Sequence, residues 1–365
     1  MQNLEAQGRI PSLDGVRAFS VAYVILWHCT YQLPGPQRER LHLFLANGRL
    51  GVDIFFVISG LLITTLLVRE RAKSGRIDLG GFYVRRCFRI LPPAFVYLGV
   101  MVALRGTGYV EFSNSDLLAA AFFVANFRTE SMSWLLLHMW SLSIEEQFYL
   151  VWPGILRKLG NRAALKAALL LVAISPLLRI GTYYLLPEYR KVMGTITFTR
   201  LDMIMTGCAM ALMRGDSWYK SACERLFKLW VPGLGMLYLI FVSAFVSKKL
   251  GGTYTYVFSF TVECLIIASA IEWVIARADA PLGRFLNSRS IAHLGVISYS
   301  LYLWQQPFTD SYSTHPVMRF PLNLVLMLAA AELSRRFVEL PSLALRDRLL
   351  AGKAPRVAPG QITTD

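Results

Sequence analysis

The sequence predicts an all-α protein, a polytopic transmembrane helical bundle of about ten spans with both termini cytoplasmic. Three observations lead there. Of the 365 residues, 55% are hydrophobic and only 17% charged, whereas soluble domains carry about 25% charged residues. Mean hydropathy is +0.46, and apolar runs of about 20 residues, the length that crosses a bilayer core, recur from end to end. The basic residues lie between those runs. A net charge of +15 therefore reads as positive loops against an anionic leaflet and not as a nucleic-acid footprint.

Spans are expected near residues 16–34, 50–68, 90–108, 134–156, 163–181, 197–214, 229–247, 256–276, 291–308 and 319–340. The stretch 117–127, LLAAAFFVANF, is short for a crossing and reads as a half-span packed against protein. With the amino terminus inside, 26 of the 38 Lys and Arg residues fall on the cytoplasmic side, and the outer loop 309–318 has none. Counting 117–127 as a full span would move the six basic residues of the tail outside, against the charge rule. The first span follows Arg9 and Arg17 but ends at Gln32-Leu33-Pro34 without a small-residue cleavage site, so it is expected to be retained. Residues 1–340 form the expected membrane domain, and 341–365 a short cytoplasmic tail, amphipathic and then disordered. Cys29, Cys87, Cys208, Cys223 and Cys264 show no C-x-x-C pair and no metal-like spacing with the histidines. They are read as packing residues, with no disulfide and no metal.

Ionisable residues inside spans are costly, so each is a functional candidate. Arg17 and His28 are eleven positions apart, which puts them on nearly one helix face, separated by about 16 Å along the axis. Two readings stand. Arg17 is an anchor paired with Asp14 at i,i+3 and His28 an interfacial histidine, or the face carries a cation at one depth and an imidazole at the other. GVDIFFVISG buries Asp53, expected to pair with a basic group such as Arg49 or to orient a neighbour, and its Ser59-Gly60 reads as a site of close helix packing.

In FYVRRCFRILPP, Arg85, Arg86 and Arg89 form a cationic cluster on one turn before a Pro-Pro helix start. Forked guanidinium groups suit phosphates, although plain positive-inside charge also accounts for such residues. HMWSLSIEEQFYLVWP places Glu145 and Glu146 about 100° apart on a helix, so they cannot face one site equally. Ser141 and Ser143 are helix-start or cavity residues there, His138 lies just outside, and Trp134, Trp140, Tyr149 and Trp152 fit an interfacial aromatic belt. RLDMIMTGCAMA sets Arg200 and Asp202 at the outer edge of a span, and Glu263 and Glu272 lie in or near another. In SYSLYLWQQPF, Tyr299, Tyr302, Trp304, Gln305 and Gln306 suggest a polar lining.

Taken in order, these segments resemble the acyltransferase 3 family of integral membrane acyltransferases over almost the whole chain. LDGVRAFSVAYVILWH is similar to the family's opening motif, an arginine or lysine, ten residues, then histidine. Five further segments follow in the family's order: GVDIFFVISG, FYVRRCFRILPP, WSLSIEEQFYLVWP, RLDMIMTGCAMA and SYSLYLWQQPF. The resemblance implies transfer of an acyl group, commonly acetyl, from acyl-CoA to a carbohydrate hydroxyl at or beyond the outer face of a bacterial cytoplasmic (inner) membrane. It gives functional weight to Arg17, His28, Arg85, Arg86, Arg89 and Glu145. One departure is Gln305-Gln306, where some members have histidine, so no second essential histidine is expected from that span. Some relatives also carry an extracytoplasmic esterase-like domain, which does not follow in these 365 residues.

Ester formation needs a base for the acceptor hydroxyl, and imidazole, titrating near neutrality, suits that task. His28 is the expected base, with Glu145 holding its tautomer or stabilising the imidazolium. An acyl-histidine at His28 is the competing version. Arg85, Arg86 and Arg89 are expected to hold the CoA phosphates while Arg17 guides the donor. Asp14, Asp53, Ser141, Arg200, Asp202 and Tyr302 are supporting polar residues. The donor is a co-substrate, and the expected partners are a carbohydrate acceptor (polysaccharide or glycolipid) and the bilayer. A multi-span transporter or flippase is the alternative, since buried charges also mark transport paths.

Overall fold

The computed structural model describes residues 10–33, 35–45, 47–310 and 318–351. Arg9, the loop 311–317 and the tail 352–365, with its expected disordered end, lie outside the described residues. Among the described residues every regular element is helical, as required where backbone groups facing hydrocarbon must bond within their own segment. Four stretches among the described residues are long and apolar enough to cross a membrane: Leu50–Ser74, Leu79–Gly106, Trp134–Leu185 and Ser243–Ala276. The helices that build the site are α1 (Leu13–Thr30), α2 (Leu50–Ser74), α3 (Leu79–Gly106), α4 (Met139–Leu185), α5 (Thr197–Met213), α6 (Phe260–Ala276) and α7 (Ser298–Trp304).

The 47 residues of α4 exceed one crossing, and the run breaks at Gly160, with φ 75° and ψ 173°. Only glycine enters that backbone state freely. The expected spans 134–156 and 163–181 are the limbs on either side. The expected span 229–247 divides into Val231–Phe241 and a helix starting at Ser243. The span 291–308 divides into Arg289–Val296, α7 and the turn Gln306–Phe308. The last helix, Leu340–Ala351, continues past the boundary expected at 340.

Segment 117–127 is a short helix, Asn114–Ala121, and a single tight turn, Ala125–Phe127. Its irregular backbone is satisfied by α4. The Ala125 N–H donates to Ser143 Oγ at 3.2 Å, and Gln147 Nε2 donates to the Phe123 carbonyl at 3.0 Å and to Asn126 Oδ1 at 2.8 Å.

The Pro-Pro helix start expected at 92–93 is not where the helix begins. The third helix, α3, starts at Leu79, where the Asp78 side chain accepts the Gly81 N–H at 3.1 Å, and it runs through both prolines. Prolines inside membrane helices are tolerated where neighbours hold the turn. Here the Tyr299 hydroxyl donates to the Ile90 carbonyl at 2.8 Å. Close packing fixes the rest. A Cβ on Gly60 would lie 2.0 Å from the Ile204 carbonyl oxygen, and one on Gly207 2.0 Å from that of Val57. The α2–α5 crossing therefore depends on facing small residues, the role expected for Gly60.

Candidate active site

A cavity of about 220 Å³ opens between α1, α2, α3, α4 and α7. Pockets that enclose a drug-sized ligand run to about 300–1,000 Å³, so this one is small. Arg17, Arg86 and Arg89 line it, as do Glu145, Glu146, Tyr149, Ser59, Ser141, Tyr299 and Tyr302. Valine, leucine, isoleucine and phenylalanine side chains of α2, Val52 and Phe55 among them, form an apolar wall.

The lining has a direction. Arg86 lies over the Tyr149 ring, 5.1 Å from its centroid, and along α4 the lining runs from Tyr149 back to Ser141, about 12 Å by helical rise. Near the arginine end, Arg71 at the end of α2 donates to the Leu156 carbonyl at 2.7 Å, just before the Gly160 break. The basic ends of α2, α3 and the first limb of α4 thus meet on one side.

Arg17 reaches the cavity with Asp14 at 3.8 Å. Among the described residues no carboxylate lies within ion-pair distance of Arg86 or Arg89. Arg85 does not join them. It is one position, or about 100°, around the helix, is 42% exposed and faces Glu70 at 3.6 Å. Glu145 accepts from Ser59 Oγ at 2.7 Å and from the Tyr149 hydroxyl at 3.4 Å, and Ser141 Oγ and the Tyr302 hydroxyl share a 2.6 Å hydrogen bond.

His28 lies at the far end of α1, outside the lining, and is buried. The expected Glu145 partnership is not formed: its Nδ1 meets Gln305 Oε1 at 3.0 Å. With that carbonyl as acceptor, Nδ1 carries the hydrogen and Nε2 keeps its lone pair. Trp134 packs edge-on against the ring with centroids 4.9 Å apart, and its indole N–H donates to the Gln306 carbonyl at 3.0 Å. The expected aromatic belt is therefore corrected for Tyr149 and Trp152, which are buried in the bundle, while Trp134 and Trp140 are half-buried. Trp134 walls the histidine, Tyr149 lines the cavity, and Trp152 is a core residue donating to Thr64 Oγ1 at 2.8 Å. Their indole and phenol hydrogens find partners inside the bundle, which removes the reason to sit at a water interface.

Asp53, Arg200 and Asp202 belong elsewhere. Asp53 pairs with Arg200, not with Arg49, and Arg49 faces Glu263 at 3.6 Å. Arg200 and Asp202 lie in the first two turns of α5 and are fully buried. Asp202 pairs at 2.8 Å with Arg179, which also donates to the Tyr256 carbonyl and Thr261. Arg49, Arg179 and Arg200 stack on the Phe260 ring at 4.1, 5.4 and 4.5 Å. Three cations against Asp53, Asp202 and Glu263 make a balanced cluster that ties α2, α5 and α6 together behind Phe56, the cavity's wall. Sequence reading missed Arg179, whose partner is 23 positions away, and the Gln305 contact, which spans 277.

A helical bundle with apolar spans, a cationic cavity at one side and a buried imidazole toward the other defines an integral membrane protein with a site inside the bundle. Comparison with known proteins makes this specific. A family model described as an acyltransferase domain matches residues 10–331, and the chain belongs to that family, acyltransferase 3. It is 30% identical over 360 residues to O-acetyltransferase OatA of Staphylococcus aureus strain NCTC 8325 / PS 47, across 91% of this chain and 57% of OatA. SACOL0978 of S. aureus strain COL is 31% identical over 365 residues, with the same coverage of both chains. The chain thus spans a little over half the length of these relatives. No solved structure matches it.

Proposed function

We propose that this protein is a membrane O-acyltransferase that moves an acetyl group from cytosolic acetyl-CoA to a carbohydrate hydroxyl at the outer face of a bacterial cytoplasmic membrane. The observation that carries the reading is the cavity, which joins three arginines at one end to hydroxyl and carboxylate groups leading toward His28. Arg86 and Arg89, with no carboxylate within ion-pair distance among the described residues, suit the phosphates of the donor, and the narrow apolar slot suits its pantetheine arm. The loop charges support ten spans with both termini inside, which puts the arginine end in the cytosol. The membrane domain then covers residues 1–340 and the tail 341–365.

His28, its Nδ1 tied to Gln305, offers Nε2 to an acceptor hydroxyl, and removing that proton as the hydroxyl attacks the activated acyl carbonyl is general-base catalysis. Arg17 steers the donor inward past Asp14, while Glu145, held by Ser59 and Tyr149, acts within the cavity. The residues need no metal for this chemistry. Purified protein incubated with radiolabelled acetyl-CoA and candidate glycans tests the reading. Glycan-dependent CoA release supports it, and glycan movement without CoA release indicates a transporter instead.

A further inference from the structure

One buried histidine has no part in the scheme above. His138 is only 2% exposed, and neither ring nitrogen has a partner in good hydrogen-bond geometry. Leaving both polar atoms of an imidazole unpaired in a dry interior is unfavourable, and such groups call for an explanation. The ring packs edge-on between Tyr97 and Tyr302, with centroids 5.4 and 5.7 Å away. The Leu303 backbone is the polar group that approaches the ring as a hydrogen-bond partner, and His28 lies within electrostatic reach.

Its position is specific. Ser141 and Tyr302 line the cavity at the end away from the arginines, and both hydroxyls approach the His138 carbonyl, at 3.1 and 3.5 Å. His138 is one turn beyond Ser141, directly behind that pair. On α7, Tyr302 touches His138, and Gln305, immediately after the helix and one turn further on, holds His28. On the facing segment Trp134 touches His28, and His138 lies one turn away from it. Residues three and four apart on a helix are about 5–6 Å neighbours, so two independent elements bring the two imidazoles to the same region, where His28 is within electrostatic reach of His138. The order is cavity, hydroxyl pair, His138, His28.

We infer that His138 carries the acyl group between the donor cavity and the acceptor, with His28 as the base of the second step. The inference rests on the acyl-CoA reading. First, a ring nitrogen of His138 attacks the thioester carbonyl. The N–C bond forms, the C–S bond breaks, and the departing thiolate takes the proton released by the acylated ring. Second, the acceptor oxygen attacks the acyl-imidazole carbonyl, the O–C bond forms and the C–N bond breaks. The hydroxyl proton passes to His28 Nε2 and from there to His138, restoring both rings. His28 keeps its Nδ1 hydrogen bond to Gln305 throughout, whereas in neutral His138 one nitrogen carries the hydrogen and the other keeps a lone pair that no donor engages, free for the nucleophilic role.

The test uses the full chain in detergent with [14C]acetyl-CoA and no acceptor, followed by rapid quench and peptide mapping. Wild type and His28→Ala should each release a burst of one CoA per protein and carry the label on His138. The His28→Ala protein should fail to pass the label to acceptor. His138→Gln should bind acetyl-CoA normally yet give neither burst nor label. Label mapping to His28, a burst from His138→Gln, or steady turnover by wild type with no acylated protein would each overturn the inference while leaving the acyl-CoA reading intact. A wild type that releases no CoA even with acceptor overturns both. Mapping in wild type and His28→Ala decides the matter even if His138→Gln does not fold.

Discussion

Replacing Arg86 and Arg89 by glutamine removes two guanidinium groups from the cavity without emptying the space they occupy. Neither has a carboxylate within ion-pair distance among the described residues, although Glu145 and Glu146 line the same cavity as Arg86, so folding of each variant is checked by its melting temperature before its KM is compared. A hydrogen bond to a charged group contributes about 1.5–3 kcal/mol. Taking the lower figure, each single variant should raise the KM for acetyl-CoA about tenfold, and the double variant about a hundredfold, at about 1.4 kcal/mol per decade. Arg85 is the internal control. It is 42% exposed and faces Glu70, where exposed ion pairs are worth about 0–1 kcal/mol, so Arg85→Gln should change KM less than about fivefold. The assay is initial-rate CoA release against acetyl-CoA concentration at fixed, moderate salt. A double variant within twofold of wild type, or an Arg85→Gln effect as large as the others, would refute the assignment of phosphate binding to the cavity arginines.

Other expectations follow from the same geometry. His28→Ala should lower acceptor-dependent turnover by about 10²–10⁴-fold, the range of a positioned general base, with acetyl-CoA binding by calorimetry unchanged. Gln305→Ala removes the bond that fixes the His28 tautomer and should lower kcat by about three- to tenfold with the donor KM unaltered, as befits one neutral hydrogen bond. Asp53→Asn leaves the buried Arg200 without its counter-ion and should destabilise the protein by about 3–5 kcal/mol, seen as a lower melting temperature in detergent. The double change Asp53→Leu with Arg200→Met should recover most of that loss, and no recovery would argue for a role beyond structure. Gly60→Leu should abolish folded protein, since a Cβ alone would sit 2.0 Å from the Ile204 carbonyl.

The helical class was legible because apolar runs and loop charges are local signals. The eleven-position spacing of Arg17 and His28 was legible too, but not that Arg17 lines the cavity while His28 lies outside it. The Arg85/Arg86/Arg89 cluster was legible as a cluster but not in its division, since which side of α3 faces Glu70 is settled by packing. Partner choice was the least legible. Asp53 reads equally well with Arg49 or Arg200 along the chain, and only the α2–α5 crossing at Gly60 and Gly207 decides between them. Tryptophans in WSLSIEEQFYLVW resemble interfacial anchors because composition does not reveal where an indole N–H finds its acceptor. His138 looked peripheral for the same reason, as its neighbours Tyr97 and Tyr302 come from distant segments.

The central claim is that the donor is held at the arginine end while the acceptor is modified at the opposite face. Proteoliposomes containing the protein in known orientation, with [14C]acetyl-CoA supplied only to the arginine side and the glycan only to the other, test it most directly. Label on the glycan, with CoA released on the donor side, is the predicted result. Transfer only when donor and glycan share one side would contradict it.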